Sequence, residues 1–174
     1  AYQKQTTEVT ESQFEMLRKL ELPRDWHYEL REHAQARGIE FLSTAFDSNS
    51  LEFLQTLGMP FYKVPSGELT NGPLLWQFAH LRKPLVVSTG MATLSDVEQA
   101  LAVIAHAFNA NAEPSHVDEV WWGWSRAEWR HSLKGRVTLL HCTSQYPTPM
   151  HEVNLHAMDT LAEAFDLPVG YSDH

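Results

Sequence analysis

Cysteine is nearly absent from this chain. Cys142 is the only one among 174 residues, which excludes an intrachain disulfide and a thiolate zinc cage built within the chain. Basic side chains are scarce too: 13 Lys and Arg stand against 22 Asp and Glu, for a formal charge of −9. Nucleic acids and acidic membranes require a basic face, so neither is expected as a broad partner; a small anion in a locally basic pocket is still compatible. No apolar run reaches the roughly 18 residues of a membrane span, and the opening AYQKQTTEVTESQ lacks the basic-then-apolar layout of a signal peptide. These absences predict a cytoplasmic protein in a reducing compartment. What is present is ordinary for a folded protein: 43% apolar, 11% aromatic and 20% charged residues, enough for a sizeable core in one globular unit.

One pattern recurs five times: a short apolar run, a polar or glycine-containing stop, then a helical segment. The runs are GIEFLSTAFD (38–47), FYKVPSGE (61–68), PLVVSTGM (84–91), RVTLLHCTSQYP (136–147) and PVGYSDH (168–174). Between them, apolar residues at three- and four-residue spacing predict amphipathic helices marked by Leu51, Leu54 and Leu57; by Leu74, Leu75, Phe78 and Leu81; by Val97, Leu101, Ile104 and Phe108; and by Leu155, Met158, Leu161 and Phe165. Pro73 suits a first helical position after Asn71 and Gly72, and Thr93 with Asp96 forms a capping pair. Upstream, Thr10 with Gln13 predicts a cap for a helix carrying Phe14, Leu17 and Leu20, halted near Pro23. A further helix from about Asp25 is predicted to stop at Gly38.

Strands alternating with helices predict parallel pairing through right-handed crossovers, hence an α/β class. Short, uniform units favour a (β/α)₈ TIM barrel over a doubly wound sheet. Eight units take about 250 residues, so five strands in this chain read as part of one barrel domain spanning 1–174. Residues 109–135 break the spacing with Trp121, Trp122, Trp124 and Trp129. They predict a helical excursion packed on the barrel wall, with a subunit contact as the sharper reading.

In such a fold the strand ends point to one face, where chemistry collects. The polar residues there are Thr44 and Asp47; Lys63, Ser66 and Glu68; Ser88 and Thr89; His141, Thr143, Ser144 and Tyr146; Ser172, Asp173 and His174. Hydroxyls converging with one lysine make a phosphate site, the hydroxyls donating to anionic oxygens and the ammonium supplying charge. Glu68 near a lysine is an ion-pair partner, a proton carrier or a metal ligand. Each has a plainer reading: a snorkelling Lys63, a Glu68 that favours the next helix start, a satisfied core His141, a small buried Cys142. His27, His33, His80 and His106 fall on helices and take no role.

The stretches FLSTAFD, YKVPSGELTNGPLL, PLVVSTGMATL, LLHCTSQYPTPMHEVNL and VGYSDH, in this order, closely resemble the sialic acid synthase (nonulosonate synthase) family, from Tyr2 to His174 but for the tryptophan-rich insertion. The resemblance implies a (β/α)₈ barrel of which this chain holds the third to seventh strands. It implies condensation of phosphoenolpyruvate with an N-acylated amino sugar, of the N-acetylmannosamine type, to a sialic acid and phosphate, assisted by Mn²⁺ or Mg²⁺. Thr44, Lys63, Ser66 and Ser88 match positions that hold the phosphate of phosphoenolpyruvate. Ser144 stands where some members carry asparagine. Glu68 matches a carboxylate near the sugar's reacting end, Tyr146 a sugar-contacting tyrosine, Ser172 a contact to the phosphoenolpyruvate carboxylate, and His174 one of two metal-binding histidines.

The same resemblance implies groups that lie outside this sequence: the second metal histidine, a lysine and an acid from the first two strands, and a small C-terminal antifreeze-like domain that reaches the partner's site in a homodimer. The fragment alone is therefore expected to be nearly inactive. Two other classes compete. One is another phosphoenolpyruvate-dependent aldolase or a Schiff-base aldolase using Lys63, which borohydride would trap. The other is a non-catalytic sugar-phosphate-binding scaffold. Gln145 departs from members with an acid there, so the sugar stays open within the family.

Overall fold

The computed structural model describes residues 12–174. Instead of the single unit expected, the chain divides into two compact units, one up to Phe41 and the other Leu42–His174. The first holds α1 (Gln13–Lys19) and α2 (Arg24–Ala36). The Ser12 hydroxyl accepts the Glu15 N–H while the Glu15 carboxylate accepts the Ser12 N–H, so two otherwise orphaned donors are satisfied reciprocally. The cap thus falls on Ser12 and Glu15; the expected Thr10 lies outside the described residues. Helix α2 ends as predicted: Gly38 takes φ 69°, and the Ile39 N–H returns to the Ala34 carbonyl at 3.1 Å.

The second unit runs α3 (Ser48–Gln55), β1 (Tyr62–Val64), α4 (Gly72–His80), β2 (Leu85–Ser88), α5 (Leu94–Asn109), α6 (Val117–Trp124), α7 (Ala127–His131), β3 (Val137–His141), α8 (His156–Phe165) and β4 (Val169–Tyr171), with single 3-10 turns at Ser66–Glu68 and Met150–Glu152. The strands form one sheet in the order β1-β2-β3-β4, every pair parallel. The register sets Val64 against Val87, Ser88 against Leu140 and His141 against Tyr171. Alternation along each strand then decides the faces. Tyr62, Val64, Leu85, Val87, Val137 and Leu139 are 0–4% exposed and form the covered side. Phe78 of α4, fully buried, meets the Tyr62 ring edge-on at 6.3 Å; burying such a ring contributes about 1.5–3 kcal/mol. Lys63, Val86, Ser88, Thr138 and Leu140 share the other side, where all but Ser88 are half-buried.

The α/β class with a parallel sheet stands, but the five expected strands become four among the described residues. Residues 38–47 form no ladder. The Ser43 N–H, in place of a strand carbonyl, faces the Met59 thioether at 3.2 Å. Asp47, expected at a strand end, is instead the N-cap of α3, its carboxylate accepting the Ser50 N–H at 2.8 Å and the Ser50 hydroxyl at 2.6 Å. Pro73 sits second rather than first in α4, after Gly72; its missing N–H is harmless anywhere in that first turn.

The predicted Thr93–Asp96 pair is a full capping box on α5. Hydrogen bonds from the Thr93 side chain and then its backbone hold the Asp96 carboxyl below the usual aspartate range. A carboxyl depressed in the folded chain contributes stability above its unfolded pKa and loses it as pH falls through the folded value. Thermal unfolding is therefore expected to drop more steeply below the ordinary aspartate value of 3.8 in the parent than in Asp96→Asn, and parallel curves would count against this cap.

The tryptophan-rich stretch is helical, as predicted. Its helices α6 and α7 lie against α5. Trp124 donates its indole N–H to Glu98 at 2.9 Å, and Trp129 meets the buried His106 edge-on at 5.4 Å. Gly123 is forced by this packing, since a Cβ there would fall 2.2 Å from the Trp129 ring. The Arg126 guanidinium covers the half-exposed Trp122 at 3.5 Å.

Candidate active site

All four strands are parallel, so their C-terminal ends share one edge of the sheet, and each end is followed by polar residues. After β1 comes the turn Ser66–Glu68; after β2, Thr89 and Gly90; after β3, Cys142 and Thr143; after β4, Ser172 to His174. From β1 to β4 there are three strand spacings, roughly 14 Å along a flat sheet.

Two groups project from the half-open face itself. Lys63 is half-buried, and among the described residues no carboxylate pairs with it. Ser88 is only 2% exposed, and its hydroxyl has no hydrogen-bond partner. A buried hydroxyl left unpaired costs about 1–3 kcal/mol, so this position is satisfied only when something else supplies an acceptor or donor. After β1, Ser66 is held by contacts from two other strand ends: its oxygen accepts the Gly90 N–H at 2.9 Å and lies 3.3 Å from the Cys142 sulfur.

A second cluster forms at the end of β4. The Nδ1 of His174 lies 2.9 Å from the Thr143 carbonyl. A carbonyl only accepts, so Nδ1 donates to it, and Nε2 lies 3.1 Å from the Tyr146 hydroxyl and 3.2 Å from the Ser172 hydroxyl. The Tyr146 and His174 rings stack with centroids 4.0 Å apart. The Thr148 N–H donates to the His174 carbonyl at 2.8 Å, and the Ser172 N–H to His141 at 2.9 Å, which ties this cluster to the end of β3.

Other expected residues have plainer surroundings. Thr44 is half-buried in the stretch that forms no strand. Ser144 is exposed, and neither it nor Thr44 bonds to the other named residues. Glu68 is half-buried and accepts the Asn71 side-chain N–H at 2.8 Å; Asn71 in turn caps α4 through the Leu74 N–H at 3.3 Å. The plainer reading of Glu68, a residue serving the next helix start, thus has a visible basis. So does that of His141, whose Nε2 donates to the Val153 carbonyl at 2.7 Å. Gly90 and Cys142 were missed as site residues, because nothing in their local sequence marks a contact to a serine 76 positions away in the case of Cys142.

A cavity of about 410 Å³ opens elsewhere, between the start of α5 and α8, lined among others by Thr89, Leu94, His141, Asn154, His156 and Thr160. Two of its polar groups are already paired: the Thr89 hydroxyl donates to Leu140 and the His141 ring to Val153. The unpaired hydroxyl and the unpaired ammonium belong to the sheet's open face, so the site is placed there.

A family model described as the NeuB family matches residues 1–174. The chain belongs to the NeuB family. The N,N'-diacetyllegionaminic acid synthases of Campylobacter jejuni and Legionella pneumophila are each 43% identical to it over 173 residues, 99% of this chain and 45% and 43% of theirs. The crystal structure of the spore coat polysaccharide biosynthesis protein SpsE from Bacillus subtilis superposes with a TM-score of 0.70 at 30% identity, covering 88% of this chain and 36% of that one. The chain spans less than half the length of these relatives. Within the NeuB family, the resemblance to sialic acid synthases read from the five ordered motifs stands. Among the described residues no helix is long and apolar enough to cross a membrane.

The metal expectation meets a limit in this part of the molecule. Among the described residues no three His, Cys, Asp or Glu side chains come together as an ion holder. The Nδ1–H of His174 is tied to a carbonyl, as in many ligating histidines, but its Nε2 is engaged by the Tyr146 and Ser172 hydroxyls, and one imidazole is not a site.

Proposed function

We propose that this chain is the phosphoenolpyruvate-binding part of a nonulosonic acid synthase, with its four-stranded sheet forming one arc of a (β/α)₈ barrel. The sequential parallel strand order supports the barrel, as does the likeness to SpsE. The observation that carries the functional reading is the Ser88 hydroxyl, buried and unpaired on the same face as an unpaired lysine. A phosphate satisfies both at once: its oxygens accept from Ser88 and Ser66 and pair with Lys63. Thr44 and Ser144 complete the phosphate set in this proposal, and Ser172 takes the carboxylate of phosphoenolpyruvate.

With phosphoenolpyruvate so held, its enol carbon attacks the aldehyde carbon of an open-chain N-acyl amino sugar, forming the C–C bond. Water adds to the oxocarbenium-like carbon left behind, and the C–O bond to phosphate breaks. Tyr146 positions the sugar. Glu68, beside its reacting end, carries a proton to or from it. Mn²⁺ or Mg²⁺ at His174 belongs to the proposal only as an ion whose remaining ligands come from substrate, water and residues outside this sequence, where it would polarise the aldehyde. A homodimer of the full-length protein is part of the same reading.

The sugar has a second reading. Both 43% identical relatives are named for an N,N'-diacetylated product, which requires a diacetylated amino sugar as acceptor, in place of N-acetylmannosamine. In the complete protein, phosphoenolpyruvate with Mn²⁺ and a panel of mono- and diacetylated hexosamines is expected to release one phosphate per nine-carbon product. Phosphate release with no sugar, or none with any of them, would overturn the proposal.

A further inference from the structure

Ser66 is held by two groups that no motif singled out for this purpose. Its oxygen accepts the Gly90 backbone N–H at 2.9 Å and lies 3.3 Å from the sulfur of Cys142, which is 6% exposed. The approach is close: a Cβ at position 90 would fall 2.9 Å from the Ser66 oxygen and 3.1 Å from the Cys142 sulfur. Three strand ends therefore meet at one hydroxyl.

We infer that Gly90 and Cys142 are positioning residues that turn Ser66 into an obligate hydrogen-bond donor. A serine hydroxyl has two lone pairs and one proton. The Gly90 N–H occupies one lone pair. The thiol has one proton, and its only described hydrogen-bond neighbour is Ser66. When that S–H is donated to Ser66, both lone pairs are filled, and the hydroxyl has nothing left to offer but its own O–H. Such a group favours an anionic oxygen and disfavours a ligand donor. In the absence of ligand the O–H can instead turn to the sulfur, so the thiol also gives Ser66 a resting partner and keeps it from being orphaned as Ser88 is. Gly90 is glycine because the hydroxyl and the thiol leave no space for a side chain.

The inference rests on the proposal that Ser66 contacts the phosphate of phosphoenolpyruvate, and the test separates the two. In the complete protein, Cys142→Ala is expected to raise KM for phosphoenolpyruvate roughly fivefold to tenfold, the size of one lost hydrogen bond, with kcat within about twofold and the unfolding temperature little changed. Cys142→Ser, which keeps a donor, is expected to recover KM to within about threefold of the parent. If both variants raise KM equally, or neither does while Ser66→Ala does, the donor role is wrong and the phosphate reading survives. If Ser66→Ala itself leaves KM unchanged, the phosphate reading fails. A spectroscopic measurement covers the case of a poorly folding alanine variant. The S–H stretch, isolated as the difference between the parent and Cys142→Ser, is expected at lower frequency in the parent saturated with phosphoenolpyruvate than in Ser66→Ala. Coincident bands would overturn the inference.

Discussion

Lys63→Met in the complete protein is expected to lower kcat/KM for phosphoenolpyruvate by on the order of 10²-fold, mostly through KM, while leaving the fold intact. A hydrogen bond to a charged group is worth about 1.5–3 kcal/mol, and this lysine is the only cation on the open face of the sheet among the residues proposed to hold the phosphate. No described ion pair is broken by its removal, so nothing in the folded protein offsets or hides the loss. Methionine keeps the length and the apolar stem. Arginine at 63 is expected to recover only part, since a planar fork replaces a point charge. Steady-state kinetics with an unfolding curve reads both halves; an unchanged KM would remove the anion site from the account. A borohydride-trapped adduct at Lys63 would point to the Schiff-base alternative.

Glu68→Gln carries the second large effect, a fall in kcat of about 10²–10⁴-fold, the range lost with a positioned acid or base. The substitution separates the two roles of this residue. An amide oxygen still accepts the Asn71 side-chain N–H, now 2.8 Å from the carboxylate, so the cap of α4 is retained and stability is expected to hold. Glu68→Ala removes both the proton carrier and the support of the cap, and is expected to be less stable as well as inactive. Turnover unchanged in Glu68→Gln would leave Glu68 as a helix-start residue and favour a non-catalytic scaffold.

Much of the architecture was legible because it is written locally. The Thr93–Asp96 box, the stops at Gly38 and around Pro23, and the helices carrying Val97 to Phe108 all depend on residues within a few positions of each other. The four paired strands were legible from short apolar runs, and their parallel order from the helices between them. Residues 38–47 read as a fifth strand and are not one, because ladder formation depends on a neighbour and the Ser43 N–H finds a thioether instead. Asp47 read as a cavity group, although Ser50 three residues on offered a capping partner. In the site, Ser88 and Lys63 were legible by their places on strands. The contact of Ser66 with Gly90 and Cys142 was not, since it arises only once three strand ends lie side by side. The stacking of Tyr146 on His174 is likewise a product of the loop after β3 folding back on β4.

The account turns on where phosphoenolpyruvate binds. A crystal structure of the complete protein with phosphoenolpyruvate is the direct measurement. It is expected to show the phosphate within hydrogen-bond distance of the Ser66 and Ser88 hydroxyls and the Lys63 ammonium, on the open face of the sheet. Phosphoenolpyruvate seated instead in the cavity between α5 and α8, with the Ser88 hydroxyl still unpaired, would contradict it.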